Sequence, residues 1–198
     1  MPIAHYLTLG RIFISPIFLV IYLYHSDIPS LLLPLILAIL LGCSELSDAF
    51  DGYLARKFNQ VTDFGKVLDP MADSIYRISV FLTFTLDPVK IPMGLVFIFL
   101  YRDSAISTLR TLCALKGFAL AARPSGKLKA VIQAIAAFAV LGFMVLAALQ
   151  MISSEELTQY STYAVAVASI YTLLSGLEYI IANLSYIKKA LSPSKKLY

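Results

Sequence analysis

The run A-V-I-Q-A-I-A-A-F-A-V-L-G-F-M-V-L-A-A-L-Q-M-I-S-S, Ala130 to Ser154, holds 25 residues without a charge. Beyond Glu155 and Glu156 a second run, Leu157 to Leu177, holds 21 more. A membrane-spanning helix needs about 20 mostly apolar residues, so each run is long enough by itself. The rest of the chain has the same character. Of its 198 residues 59% are hydrophobic and 14% charged, whereas a soluble domain averages roughly 45–50% apolar and about 25% charged. This balance excludes a water-soluble globule, a disordered chain and a nucleic-acid binder, and it implies an all-α, polytopic membrane protein.

Working outward, four further apolar segments carry internal charges. The pattern predicts six transmembrane helices over about 3–25, 30–56, 65–86, 92–115, 126–151 and 158–188, forming one domain with a short basic tail. The first segment has no basic region before it and no small-residue cleavage site after it, so it is expected to be retained as a span. Arg56, Lys57, Lys66, Lys116, Arg123, Lys127, Lys129, Lys188, Lys189, Lys195 and Lys196 fall on one family of loops and ends, against Lys90 alone on the other. Loops rich in Lys and Arg stay cytoplasmic. Both termini are therefore expected in the cytoplasm, as an even number of spans requires. The net charge of +4 is read as topology and affinity for anionic lipid. Cys43 and Cys113 are too few for a disulfide framework, and His5 and His25 receive no role.

Arg11, Arg77, Arg102 and Arg110 lie inside apolar segments. A charge near the bilayer centre costs a few kcal/mol even on the lenient insertion scale, so such residues face a cavity or a partner, or snorkel from a helix end.

The carboxylates are the more informative anomaly. They lie in S-D-A-F-D-G-Y-L-A-R-K-F-N-Q-V-T-D-F-G-K-V-L-D-P-M-A-D, Ser47 to Asp73. Asp48 and Asp51 are spaced i, i+3 at the end of the second segment, and Asp69 and Asp73 are spaced i, i+4 at the start of the third. Each spacing puts a pair on one helical face. A short loop joins the segments, so they are expected to be antiparallel neighbours with four converging carboxylates. Such anions need a positive partner. All-oxygen sites suit hard divalent ions such as Mg²⁺ or Mn²⁺, and two such ions clamp phosphoryl chemistry. Ion pairing to Arg56, Lys57 and Lys66, or a cation or proton path, are the competing readings. Gly52 and Gly65 allow close approach of a ligand, Ala55 keeps the same face small, and Arg56 suits phosphate.

The spacing D48-x-x-D51-G52-x-x-A55-R56-x8-G65-x3-D69-x3-D73 resembles the full signature of the CDP-alcohol phosphatidyltransferases. Leu7–Pro16, Arg102–Arg110 and Gly126–Lys129 are similar to stretches of the bacterial phosphatidylglycerophosphate synthases within that family. The resemblance implies a six-helix membrane fold, usually a homodimer, with a polar cavity open to the cytoplasm, in the bacterial inner membrane. It implies transfer of the phosphatidyl group of CDP-diacylglycerol to an alcohol with release of CMP, assisted by two divalent ions as cofactors. Carried over by position, Asp48, Asp51, Asp69 and Asp73 hold metal, Asp73 also serves as general base, and Gly52, Ala55, Arg56 and Gly65 bind the nucleotide.

The acceptor is read from the remaining cations. Arg102, Arg110, Arg123, Lys127 and Lys129 are expected to form a cationic pocket for a phosphorylated acceptor, and the resemblance favours glycerol 3-phosphate. Ser74 stands where those enzymes commonly carry Lys, and Glu45 and Arg77 are additional charges near the aspartates. These departures keep inositol phosphate and serine as alternative acceptors.

Overall fold

The computed structural model describes residues 3–57, 63–117, 120 and 123–191, with side chains described for 10–48, 50, 69–117, 120 and 123–189. Among the described residues there are seven helices and no strand: α1 Ile3–Leu23, α2 Leu32–Lys57, α3 Asp63–Thr83, α4 Met93–Leu115, α5 Pro124–Ala148, α6 Ser154–Ala182 and α7 Leu184–Leu191. By length and composition, α5 and α6 are apolar enough to cross a membrane, and α1 contains a shorter apolar helix from Gly10 to Leu23.

The helix ends follow local chemistry. Gly117 ends α4 with φ +78°, a left-handed conformation that costs glycine little. Pro124 occupies the first turn of α5, where its missing N–H leaves no helical bond unmade. α6 starts with a capping box. The Ser153 hydroxyl accepts from the Glu156 backbone N–H at 3.2 Å, and the Glu156 carboxylate accepts from the Ser153 N–H at 2.8 Å. The last segment, expected as one helix over 158–188, is broken between α6 and α7 at Asn183. Its side-chain amide donates to the Tyr179 carbonyl at 2.8 Å, a local bond that competes with the helical ladder. α7 sets Ile187 against Cys113 of α4.

α1 packs on both α2 and α3, α5 lies along α6 and touches α2, and α4 bridges α3 and α6. Among the described residues α2 and α3 do not pack backbone to backbone; they meet through side chains, the Arg77–Glu45 ion pair joining one to the other. Against α3, the aromatic stripe of α1 finds partners just beyond that helix's end. Phe18 meets Phe84 edge to face at 5.9 Å, and Tyr22 meets it at 6.1 Å. The Tyr22 hydroxyl also donates to the Leu86 carbonyl and accepts from the Val89 N–H, both at 3.2 Å.

The arrangement of polarity is inverted relative to a soluble protein. Arg11, Lys129, Gln133, Ser161, Ser169 and Thr172 are buried, while Phe13 and Ile181 are 67% and 72% exposed and Ile39, Ile135 and Val167 also face outward. In hydrocarbon an outward Leu or Ile costs nothing, whereas backbone and side-chain polar groups must be satisfied internally. Gln133 accordingly donates to Thr172 at 3.2 Å, and Ser169 donates to the Val165 carbonyl at 2.8 Å. This is a membrane protein.

Candidate active site

Asp48 near the end of α2 and Asp73 in the middle of α3 come together on one nitrogen. Arg11 Nη1, from α1, donates to Asp48 Oδ1 at 2.7 Å and to Asp73 Oδ1. Arg11 is only 1% exposed, whereas the two carboxylates keep 39% and 33% of their side-chain surface open. Two unit charges 4 Å apart interact by about 4 kcal/mol at an effective dielectric constant of about 20. Two carboxylates this close therefore require a cation between them, and the guanidinium supplies it. Asp69 sits one turn before Asp73 on α3 and is half-buried.

Asp51, Gly52, Ala55 and Arg56 belong to the C-terminal end of α2 and Gly65 to the first turn of α3, but their side chains lie outside the described residues. Among the described residues no three His, Cys, Asp or Glu side chains form a metal-holding group.

From the sequence alone Arg11 is a snorkelling or functional cation and no more. One signal pointed further. No carboxylate lies within a helical turn of it in the sequence, so a buried Arg11 must be paired by another helix. Arg77 has a different partner from the one its position beside Asp73 suggested. Its Nη2 pairs with Glu45 Oε2 at 3.0 Å, and its Nη1 donates to the Ala130 carbonyl at 2.8 Å. That ion pair joins α2 to α3 and accounts for Glu45.

The expected cationic pocket is divided. Arg102 Nη1 and Lys129 Nζ meet on Asp103 Oδ1 at 3.0 and 2.8 Å, and Lys129 also reaches Oδ2 at 2.9 Å. The side chains of Arg102, Asp103 and Lys129 are 11%, 10% and 9% exposed, so this trio is an internal feature. Arg102 Nη2 donates to Ser175 Oγ of α6 at 3.3 Å. Arg123 instead pairs with Glu178 at 2.7 Å, and Glu178 also accepts from Ser125. Arg110 donates to the Tyr179 hydroxyl at 3.1 Å and lies 5.2 Å from that ring's centroid, a cation–π geometry. Lys127 is exposed. The structure thus brings together Arg102 and Lys129, and gives Arg123 and Arg110 separate partners on α6.

Asp103 and Glu178, which sequence reasoning left without a role, are the counter-charges of these cations. Asp103 follows Arg102 directly and its partner Lys129 is distant in sequence, so only its place among apolar neighbours hinted at a buried pairing. The two charged clusters adjoin. Ser74, next to Asp73, donates to Asp103 Oδ2 at 3.1 Å. One turn on, Arg77 holds the carbonyl of Ala130, the neighbour of Lys129. α3 therefore presents the aspartates and the cation trio to the same region of the molecule.

Comparison with known proteins gives a consistent result. Residues 1–171 match the family model described as CDP-alcohol phosphatidyltransferase. The chain is 34% identical over 191 residues to the CDP-diacylglycerol–glycerol-3-phosphate 3-phosphatidyltransferase of Bacillus subtilis (strain 168), covering 92% of this chain and 95% of that protein. It is 33% identical over 136 residues to the protein of the same name from Rickettsia bellii (strain RML369-C), covering 68% and 71%. A probable phosphatidylglycerophosphate synthase of Mycobacterium tuberculosis (strain CDC 1551 / Oshkosh) is 29% identical over 178 residues, covering 90% and 79%.

Proposed function

Because the chain belongs to the CDP-alcohol phosphatidyltransferase family, we propose that it transfers the phosphatidyl group of CDP-diacylglycerol to sn-glycerol 3-phosphate, giving phosphatidylglycerophosphate and CMP. Family membership also separates this reading from a cation or proton transporter, since the same carboxylates then serve a lipid headgroup reaction. The observation that carries the acceptor is the Ser74–Asp103 hydrogen bond. It sets a buried pair of cations, Arg102 and Lys129, beside the aspartate expected to act as base. An acceptor with both a hydroxyl and a phosphate suits that juxtaposition; serine has no use for the second cation.

Asp48, Asp51, Asp69 and Asp73 would hold divalent ions, Mg²⁺ or Mn²⁺. The fit rests on donor chemistry and on Arg11, since Asp48 and Asp73 already share a cation across two helices. Bound there, such ions neutralise the diphosphate and the charge that develops on departing CMP.

The chain's own residues do the rest. Asp73 accepts the proton of the acceptor hydroxyl as its oxygen attacks the phosphatidyl phosphorus and the bond to CMP breaks. Arg102 and Lys129 hold the acceptor's phosphate, and Arg110, Arg123 and Lys127 form its outer electrostatic approach. Gly52, Ala55 and Gly65 shape the cytidine pocket, and Arg56 contacts the donor phosphates. The outward apolar faces and the charge asymmetry of the loops support six membrane-crossing segments with both termini in the cytoplasm; the family resemblance supports the bacterial inner membrane, a polar cavity open to the cytoplasm and a homodimer as the assembly.

The test is incubation of the purified protein with CDP-diacylglycerol and Mg²⁺ or Mn²⁺ and, separately, glycerol 3-phosphate, inositol phosphate or serine. Phosphatidylglycerophosphate is the expected product. Turnover with inositol phosphate or serine but not glycerol 3-phosphate would overturn the acceptor assignment, and no CMP release with any alcohol would overturn the reaction.

A further inference from the structure

We propose that Gly176 and Asp103 are positioning residues that set Arg102 in place for the acceptor's phosphate, an inference that rests on the acceptor reading above.

α6 passes α4 so closely at Gly176 that a Cβ there would lie 2.8 Å from Arg102 Cγ, 3.7 Å from its Nε and 3.8 Å from its Cδ. The nearest of these atoms is on the stem of the side chain, close to the backbone. It cannot swing aside as a guanidinium tip can, so a methyl group at 176 must push the whole arginine. Glycine inside a helix costs about 1 kcal/mol relative to alanine. Position 176 accepts that cost within α6 and gains the channel through which Arg102 runs. On either side of the channel the guanidinium is fixed, by Asp103 at 3.0 Å and by Ser175 at 3.3 Å.

Asp103 is not itself a ligand for the acceptor. Its Oδ1 accepts from Arg102 and Lys129, and its Oδ2 accepts from Lys129 and Ser74. An ionised carboxylate offers about four acceptor sites, so all of them are used. Its charge would also repel a phosphate. What it does is hold two buried cations together, leaving a net charge of one plus on the trio. The clamp draws on four helices: Ser74 from α3, Arg102 and Asp103 from α4, Lys129 from α5, and Ser175 with Gly176 from α6.

The experiment is steady-state kinetics and thermal unfolding of the full-length protein in detergent, for Gly176→Ala, Arg102→Ala, Asp103→Asn and the Gly176→Ala/Arg102→Ala double variant. Gly176→Ala is expected to raise the KM for glycerol 3-phosphate about tenfold while the KM for CDP-diacylglycerol changes far less. In the Arg102→Ala background Gly176→Ala is expected to add nothing to KM and to recover the unfolding temperature it lost, because the clashing stem is gone. Asp103→Asn is expected to raise the acceptor KM selectively as well. If Arg102→Ala raises the acceptor KM but Gly176→Ala leaves it unchanged, the positioning role is overturned and the acceptor reading stands. If Gly176→Ala costs the same stability with and without Arg102, the channel argument is overturned. If Arg102→Ala itself leaves the acceptor KM unchanged, the acceptor reading fails and this inference fails with it.

Discussion

Ser74 Oγ donates to Asp103 Oδ2 at 3.1 Å, and this one bond joins the aspartate cluster on α3 to the cation trio between α4 and α5. A lysine at 74 would add a third positive charge beside Arg102 and Lys129. A serine contributes only a neutral donor, so Asp103 is left to balance Arg102 and Lys129 alone. Loss of a hydrogen bond to an ionised carboxylate costs about 1.5–3 kcal/mol. Ser74→Ala is therefore expected to raise the KM for glycerol 3-phosphate by at least about tenfold, with Ser74→Thr restoring most of it. An unchanged KM in Ser74→Ala would show that the two clusters work independently.

Asp73 is the group on which proton transfer depends. A positioned general base contributes about 10²–10⁴-fold in rate, and Asp73→Asn keeps the size of the side chain while removing its basicity. CMP release is expected to fall by at least about a hundredfold, with the protein still inserted in membranes. Full activity in this variant would remove Asp73 from the base role.

Arg11 keeps two carboxylates from different helices at one point. Arg11→Gln removes the shared cation, and Asp48 and Asp73 then repel. With the carboxylates a third or more exposed, the loss is expected at about 1–2 kcal/mol after discounting for solvent. That corresponds to a fall of about 3–6 °C in unfolding temperature in the presence of EDTA. Added Mn²⁺ is expected to narrow the gap from the parent protein, since a divalent ion supplies the missing positive charge. An equal unfolding temperature in EDTA would mean that Arg11 does not hold the carboxylates.

The outer cations should behave differently from the inner pair. Lys127 is exposed, so Lys127→Ala is expected to change acceptor kcat/KM by less than about threefold, and the change should shrink at high salt as exposed charges are screened. Arg102→Ala is expected to raise the acceptor KM by more than about tenfold and to keep that effect at high salt, because its side chain is 11% exposed. Kinetics at two ionic strengths separate them; identical salt dependence would contradict the division into inner and outer cations.

A further variant tests the fold without the site. Ser153→Ala removes the hydroxyl that caps α6, with an expected cost of about 1 kcal/mol and no change in either KM. A change in acceptor KM would show that the start of α6 is coupled to the site near its other end.

Uncharged runs were enough to place α5 and α6, because a span of hydrocarbon sets a length that any sequence must meet. The aspartate motif was legible for a similar reason: its i, i+3 and i, i+4 spacings are local geometry. Asn183 was not, since the split of α6 from α7 turns on one side-chain amide bonding back to Tyr179. The cation cluster was read as one pocket of five, but charge alone does not say which anion each cation meets. Asp103 holds Arg102 and Lys129, Glu178 holds Arg123, and Tyr179 holds Arg110.

By itself the sequence determined the membrane class and the identity of the aspartate motif. Both depend on composition or on spacing along the chain. Only the tertiary structure decided that α1 lies against both α2 and α3, that Arg11 is the cation shared by Asp48 and Asp73, and that Gly176 leaves room for Arg102. Each of those relations joins residues from different helices. Their distances are set by how apolar faces and aromatic rings pack, which no spacing along the chain encodes.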